Sequence, residues 1–353
     1  MRQRSEIFES RKAAHIALWI LLALVVIAFF GSFFVGYAGL SFTEVITGLF
    51  QKSNDSVNRI MLRLRLPRTL AAFLIGGGLG LAGLMMQTAL ENPMASPVTL
   101  GVSNAATFGA NLFLLIFYGT SALGFSRVAS QPLALAGFAF LFALLSIGLS
   151  LWLSSFHRFE PTTVVLVGIA MASFFQALTT ICQFLAEDNT LSALVGWSFG
   201  NLERLNLTEN GILAAAILPC LLLFWFGSSH YDALLCGEDF ARSVGVKVPA
   251  LRMVTLLLAS LIAALAVSFC GIIGFVGIVA PHLWKRFFGY RHRTLIPGSF
   301  LLGALLLLIC DMLTRCIGRA ANLPVGAITA LFGAPAFLLL FLVGKRGNHY
   351  VIR

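Results

Sequence analysis

Apolar residues run along this chain in ten long stretches, at about 16–36, 69–90, 101–118, 132–154, 163–185, 211–227, 252–270, 273–288, 295–313 and 325–343, with polar or basic segments between them. A hydrocarbon layer of ~30 Å takes about 20 helical residues at ~1.5 Å each. The pattern therefore predicts an all-α polytopic membrane protein of about ten transmembrane helices. The eighth stretch is short, is led in by Gly271-Ile272-Ile273-Gly274-Phe275 and contains Pro281. Broken helices survive at membrane depth only where protein or a cavity surrounds them, so a partial helix is expected there. The second stretch holds Gly76, Gly77, Gly78, Gly80 and Gly83 in its middle. Each glycine weakens a helix, and a run of them predicts close approach of other helices on several sides. Gly76, Gly80 and Gly83 are the expected packing positions, and this span belongs inside the bundle.

Composition narrows the class further. Of 353 residues, 59% are hydrophobic and 11% charged, with mean hydropathy +0.92. A soluble domain carries about 25% charged residues, so residues 1–353 read as one transmembrane domain. The net charge of +10 then reflects Lys and Arg flanking the membrane, and not a nucleic-acid surface. With the N-terminus inside, 15 of the 24 Lys and Arg residues fall on the cytoplasmic side, which supports cytoplasmic termini and a cytoplasmic tail at 1–15. The run from Ile16 to Val35 is too long for a signal-peptide core, and no A-x-A site ends it. Cys182, Cys220, Cys236, Cys270, Cys310 and Cys316 form no CxxC or metal-ligand spacing, so neither a disulfide nor a metal is expected.

Three local features stand out from the apolar background. Arg63, Arg65 and Arg68 precede the second span on the outer side, and Arg315 and Arg319 follow the ninth. External arginines oppose the insertion rule. Either they dock a partner with acidic residues, or they pair locally, as Asp311 and Arg315 would at i,i+4. The second feature is Glu91-Asn92-Pro93-Met94-Ala95-Ser96-Pro97, where two prolines stiffen a connection. Ser103 just beyond it is placed to cap the next helix. The third is Cys236 to Val246. Glu238 and Asp239 fall in a first helical turn, Arg242 lies near the end, and Gly245 is placed to close the helix. Phe240 and Val244 give this short helix an apolar face, which meets either a partner or the chain's own spans.

Arg65-Leu66-Pro67-Arg68, the glycine-rich span, ENPxAxP from Glu91 and LGVSNxA from Leu100 together resemble the FecCD-type permeases. These are membrane subunits of ABC importers for iron-siderophores, haem and vitamin B12. GEDFARSVGV from Gly237 resembles the family's GExxARxLGV segment, Gly274 to His282 its GFVGLxxPH, and Leu323-Pro324-Val325-Gly326 and Gly333-Ala334-Pro335 its last-span motifs. The segment Cys270 to Gly274 departs from the family, which commonly has a proline or serine after the first glycine. A local change of backbone geometry is expected there.

The resemblance implies a type II ABC importer permease that dimerises with itself or a paralogue. Two cytoplasmic ATPases would use ATP and Mg and bind the coupling helix at 237–246, through Glu238, Asp239, Phe240, Arg242, Val244 and Gly245. An extracytoplasmic binding protein would dock on Arg65, Arg68 and Arg315. Asn92, Pro93 and Met94 would lie at a cytoplasmic gate; Thr162 and Thr163, opening the fifth span, are further gate candidates read from their position. The expected home is a bacterial cytoplasmic membrane, and a ferric siderophore is the expected cargo, with haem or cobalamin as alternatives. The chain itself has no P-loop, HExxH or GxSxG, so no cofactor or catalytic residue is expected in it. His282 reads as a packing residue. The reading from another class is an ion-coupled carrier or channel, for which Asp311 is the one clear intramembrane ionisable residue.

Overall fold

A computed structural model describes residues 2–36, 41–50, 56–118, 132–317 and 323–345. Among them, all regular structure is helical, and seven helices are long and apolar enough to cross a membrane. These are α1 (Arg2–Gly31), the joined α3 (Ser56–Ile60) and α4 (Leu66–Ala89), α6 (Pro132–Ser155), α7 (Pro161–Leu185), α9 (Leu207–Phe226), α12 (Val248–Cys270) and α14 (His292–Ile317). The apolar helices α5 (Val102–Tyr118) and α15 (Val325–Lys345) accompany them. The remaining helices are short: α2 (Phe42–Phe50), α8 (Asp188–Ser198), α10 (Ser228–Leu235), α11 (Glu238–Ser243) and α13 (Val276–Phe288).

Each of the ten apolar stretches is helical, and local chemistry sets their ends. Pro132 and Pro161 open α6 and α7, where a missing N–H costs nothing. Asn206 and Glu209 close a reciprocal capping box on α9. The eighth stretch is partial, as its sequence implies. α13 has 13 residues, about 20 Å of helix, and follows an irregular segment in which Gly271 has φ +82° and Phe275 φ +65°. His282 packs, its Nδ1 2.7 Å from the Ile278 carbonyl oxygen and its ring against Phe337.

Two expectations are corrected. The second span does not begin at Thr69: the helix is continuous from Ser56, so Arg65 and Arg68 lie within it. Pro67 has no N–H for the carbonyl four residues back, and the chain winds wide over Met61–Arg65 as a π-turn in which Leu66 N–H donates to Met61. Ser103 does not cap α5. That helix starts one residue earlier, at Val102, so Ser103 lies inside its first turn.

The core is organised around α4, whose glycines are contact points on several sides. A β-carbon on Gly76 would sit 2.5 Å from the Gly303 carbonyl oxygen of α14. On Gly80 it would overlap the Ser299 carbonyl of the same helix, and on Gly83 the Gly277 carbonyl of α13. On Gly78 it would lie 2.8 Å from Ile217 of α9 and 3.1 Å from Ile262 of α12. The α4 and α14 backbones are thus nearly in contact and run antiparallel, with Thr88 beside His292 at one end and Arg68 beside Asp311 at the other. α6 and α7 lie at the periphery and turn Leu141, Leu145, Trp152, Leu166, Phe174 and Phe184 outward.

Candidate functional site

Chemistry-bearing side chains gather at the two ends of the α4–α14 pair. At the first end, Arg65, Arg68 and Arg315 come together beside a cavity of about 440 Å³ that Glu203 also lines. Asp311, fully buried, is the centre of this cluster: its two oxygens take Arg68 Nε at 2.7 Å and an Arg315 guanidinium nitrogen at 2.6 Å. Arg68 also pairs with Glu203. Arg315 donates to the carbonyls of Ser32 and Val35, at 2.9 and 3.0 Å, and Arg65 to the Phe33 carbonyl at 2.5 Å. Each guanidinium carries several fixed donors, and here they satisfy the chain leaving α1. Local pairing is therefore made, and three cations meet two carboxylates. Arg63 is exposed; Arg319 lies outside the described residues.

At the opposite end, α11 is a single well-capped turn and a half. Val246 N–H bonds the Ala241 carbonyl and Gly245 N–H that of Arg242, with Gly245 at φ +87°. This is the glycine-closed ending its sequence specifies. Ala241 is buried with Leu234 and Val248, which fixes the helix by one small face. Phe240 and Val244 face outward, 49% and 55% exposed, so the chain's own spans do not take up this apolar surface. Asp239 is exposed beside them.

Glu238 turns the other way. One carboxylate oxygen pairs with Arg242 at 3.0 Å along the helix, and the other with Arg252 of α12 at 2.5 Å. Arg252 is buried, and its Nε donates to the Ala89 carbonyl at 2.9 Å while another nitrogen pairs with Glu91. The last turn of α4 is held a second time. His292 bonds Thr88 at 3.0 Å through one ring nitrogen and Asp232 of α10 at 2.9 Å through the other. Burial raises the Asp232 pKa, but hydrogen bonds from the His292 ring and backbone N–H outweigh it, and the carboxyl rests below its ordinary value. A cavity of about 290 Å³ opens here, lined by Gln87, Glu91, Gly237, Lys285 and His292 among others.

The loop after α4 is ordered by its own polar groups. The Asn92 side chain accepts from Met94 N–H at 2.9 Å, and Thr99 bonds the Ser96 carbonyl at 2.8 Å. Pro93 and Met94 are exposed. The loop rests on α7, where a β-carbon on Gly168 would lie 2.9 Å from the Thr99 carbonyl oxygen. Thr162 is exposed in the first turn of that helix. Sequence reasoning missed Arg252, Glu91, Asp232 and His292 as linking residues. The one signal was an arginine placed just inside a proline-started apolar helix, Val248-Pro249-Ala250-Leu251-Arg252. Among the described residues, no group of His, Cys, Asp or Glu has the arrangement of a metal site.

Comparison with known proteins agrees with this architecture. The FecCD transport family matches residues 24–343. An ABC transporter permease protein of Methanocaldococcus jannaschii, MJ0087, whose assignment is provisional, is 40% identical over 92% of this chain and 93% of its own. The hemin transport system permease protein HmuU of Yersinia pestis is 32% identical over 94% of this chain and 97% of its own. Other relatives are named for Fe(3+) dicitrate, molybdate and vitamin B12 transport. A solved inward-facing ABC transporter, provisionally of metal-chelate type, superposes with a TM-score of 0.79 at 28% identity, covering 93% of this chain and 99% of that one. The chain belongs to the FecCD transport family and is a multi-pass membrane permease subunit of an ABC importer, with the ATPase in a separate subunit.

Proposed function

We propose that this permease carries a chelated metal, most specifically a ferric siderophore, inward across a bacterial cytoplasmic membrane. It works as a dimer with itself or a related permease, and two ATPases seat on α11 at the cytoplasmic face. The observation that carries the coupling reading is the outward-facing pair Phe240 and Val244 on a capped helix that buries only Ala241. An exposed apolar pair held this rigidly suits insertion into a groove of a partner. Glu238 serves this surface from behind, through Arg242 and Arg252. Asn92 and Met94 stand at the cytoplasmic gate, with Thr162 near it. The cargo is read from the family's commonest substrate and the metal-chelate description of the solved relative. Haem and cobalamin are the alternatives within the same machinery.

The binding protein is proposed to dock at the Arg65, Arg68 and Arg315 end. Those side chains are already engaged with Asp311, Glu203 and backbone carbonyls, so docking there exchanges partners and does not fill free valences.

Uptake of labelled ferric siderophores, haem and cobalamin by cells with and without the gene, with and without ATP depletion, tests the reading. ATP-dependent loss of one ligand in the deletion names the cargo; uptake that follows the proton gradient and ignores ATP would favour the ion-coupled carrier. The docking surface has its own test. Phe240→Asp puts a charge into the apolar contact, and co-purification of the ATPase is expected to fall by about a hundredfold, as for loss of an interface anchor, with the permease still in the membrane. Undiminished co-purification would remove α11 as the seat.

A further inference from the structure

α11 and the loop after α4 are separate in sequence, yet one buried side chain reaches both. Arg252 Nη1 takes Glu238 of α11 at 2.5 Å, its Nε takes the Ala89 carbonyl at 2.9 Å, and its Nη2 takes Glu91, the first residue of the loop that carries Asn92 and Met94. The guanidinium is planar, and its donors diverge at fixed angles. Three acceptors on one such plane are held in fixed relative positions. Glu91 adopts φ +47°, which a glutamate rarely does, and its side chain there meets Arg252.

We infer that Arg252 is the positioning residue that transmits movement of α11 to the loop 91–97, by holding Glu238, the end of α4 and Glu91 on one guanidinium. The inference rests on the reading of α11 as the ATPase seat and of that loop as the gate. A lysine would not serve, since an ammonium on a flexible stem cannot fix three acceptors in a plane. The contact from Asp232 through His292 to Thr88 ends on the turn of α4 just before Ala89. Through His292 of α14 and Arg252 of α12, α10 and α11 are both linked to the same helix end. Arg252 continues into the loop through its pair with Glu91.

The test uses the full permease with its ATPase in lipid nanodiscs. The exposed cysteines Cys236 and Cys316 are changed to serine, and Met94→Cys supplies a reporter on the exposed loop. The rate of maleimide labelling is measured with and without ATP plus vanadate. In this background, nucleotide is expected to change the rate. Arg252→Gln and, separately, Glu91→Gln should shrink that nucleotide-dependent change by about fivefold or more, while the ATPase still co-purifies. Glu91 is half-exposed, so its variant keeps the test independent of any folding defect in Arg252→Gln. A full response in both variants overturns the inference, as does a background in which labelling ignores nucleotide. Failure of the seat itself is seen apart from this, as Phe240→Asp retaining the ATPase.

Discussion

Gly83→Val is expected to leave almost no folded permease. The added carbons would enter the space of the Gly277 backbone on α13, and no rotamer removes a clash that begins at the β-carbon. Overpacking a core by flexible side chains costs about 1–3 kcal/mol, and more where the neighbour is backbone. Here the two helices must separate, and the Gln87 amide that donates to the Gly277 carbonyl at 3.2 Å goes with them. A backbone clash that begins at the β-carbon lies above that range, and it is expected to take up most of a total stability of roughly 5–15 kcal/mol. The measurement is the yield of monodisperse protein in detergent. Gly137→Ala on α6 is the control, because a β-carbon there meets nothing within 4 Å. Equal yields for the two variants would contradict the packing described.

Removing Asp311 is the second large effect. Its carboxylate is fully buried and shared by Arg68 and Arg315. Asp311→Leu strands two guanidiniums that other groups only partly satisfy, a loss of about 3–5 kcal/mol for a broken buried pair. The midpoint of heat unfolding in detergent should fall sharply. Adding Arg315→Met removes one stranded charge as well, and part of the loss should return. A double variant no more stable than the single one would mean that Asp311 acts through something other than these pairs.

The helical spans and the role of the glycine-rich stretch were legible because hydropathy and small-residue spacing are properties of single segments. Gly76, Gly80 and Gly83 announced close neighbours without naming them; that Gly303, Ser299 and Gly277 are those neighbours depends on tertiary placement. The short helices α2, α8 and α10 escaped because each mixes polar and apolar residues over too few turns to register as a span. The ending of α11 at Gly245 was readable from local capping chemistry alone. Arg252 was not. Counted as one more basic residue at a membrane edge, it became a link only when α12 brought it beside Ala89, Glu91 and Glu238. The inward commitment of Arg65, Arg68 and Arg315 was likewise half visible. The i,i+4 spacing gave Asp311 and Arg315, but Arg68 reaches the same aspartate across 243 positions of chain.

The near-contact of the α4 and α14 backbones bears on how fast the two membrane faces can inform one another. α4 is 24 residues long, about 36 Å of helix, and its neighbour meets it with no side-chain cushion at Gly76, Gly80 and Gly303. Side chains normally supply the compliance between helices; without them the pair behaves as a stiff strut. A tilt imposed where Arg68 and Asp311 lie arrives at Thr88 and His292 with little of it absorbed on the way. The two ends are then expected to move together, on the microsecond-to-millisecond scale of collective helix motions.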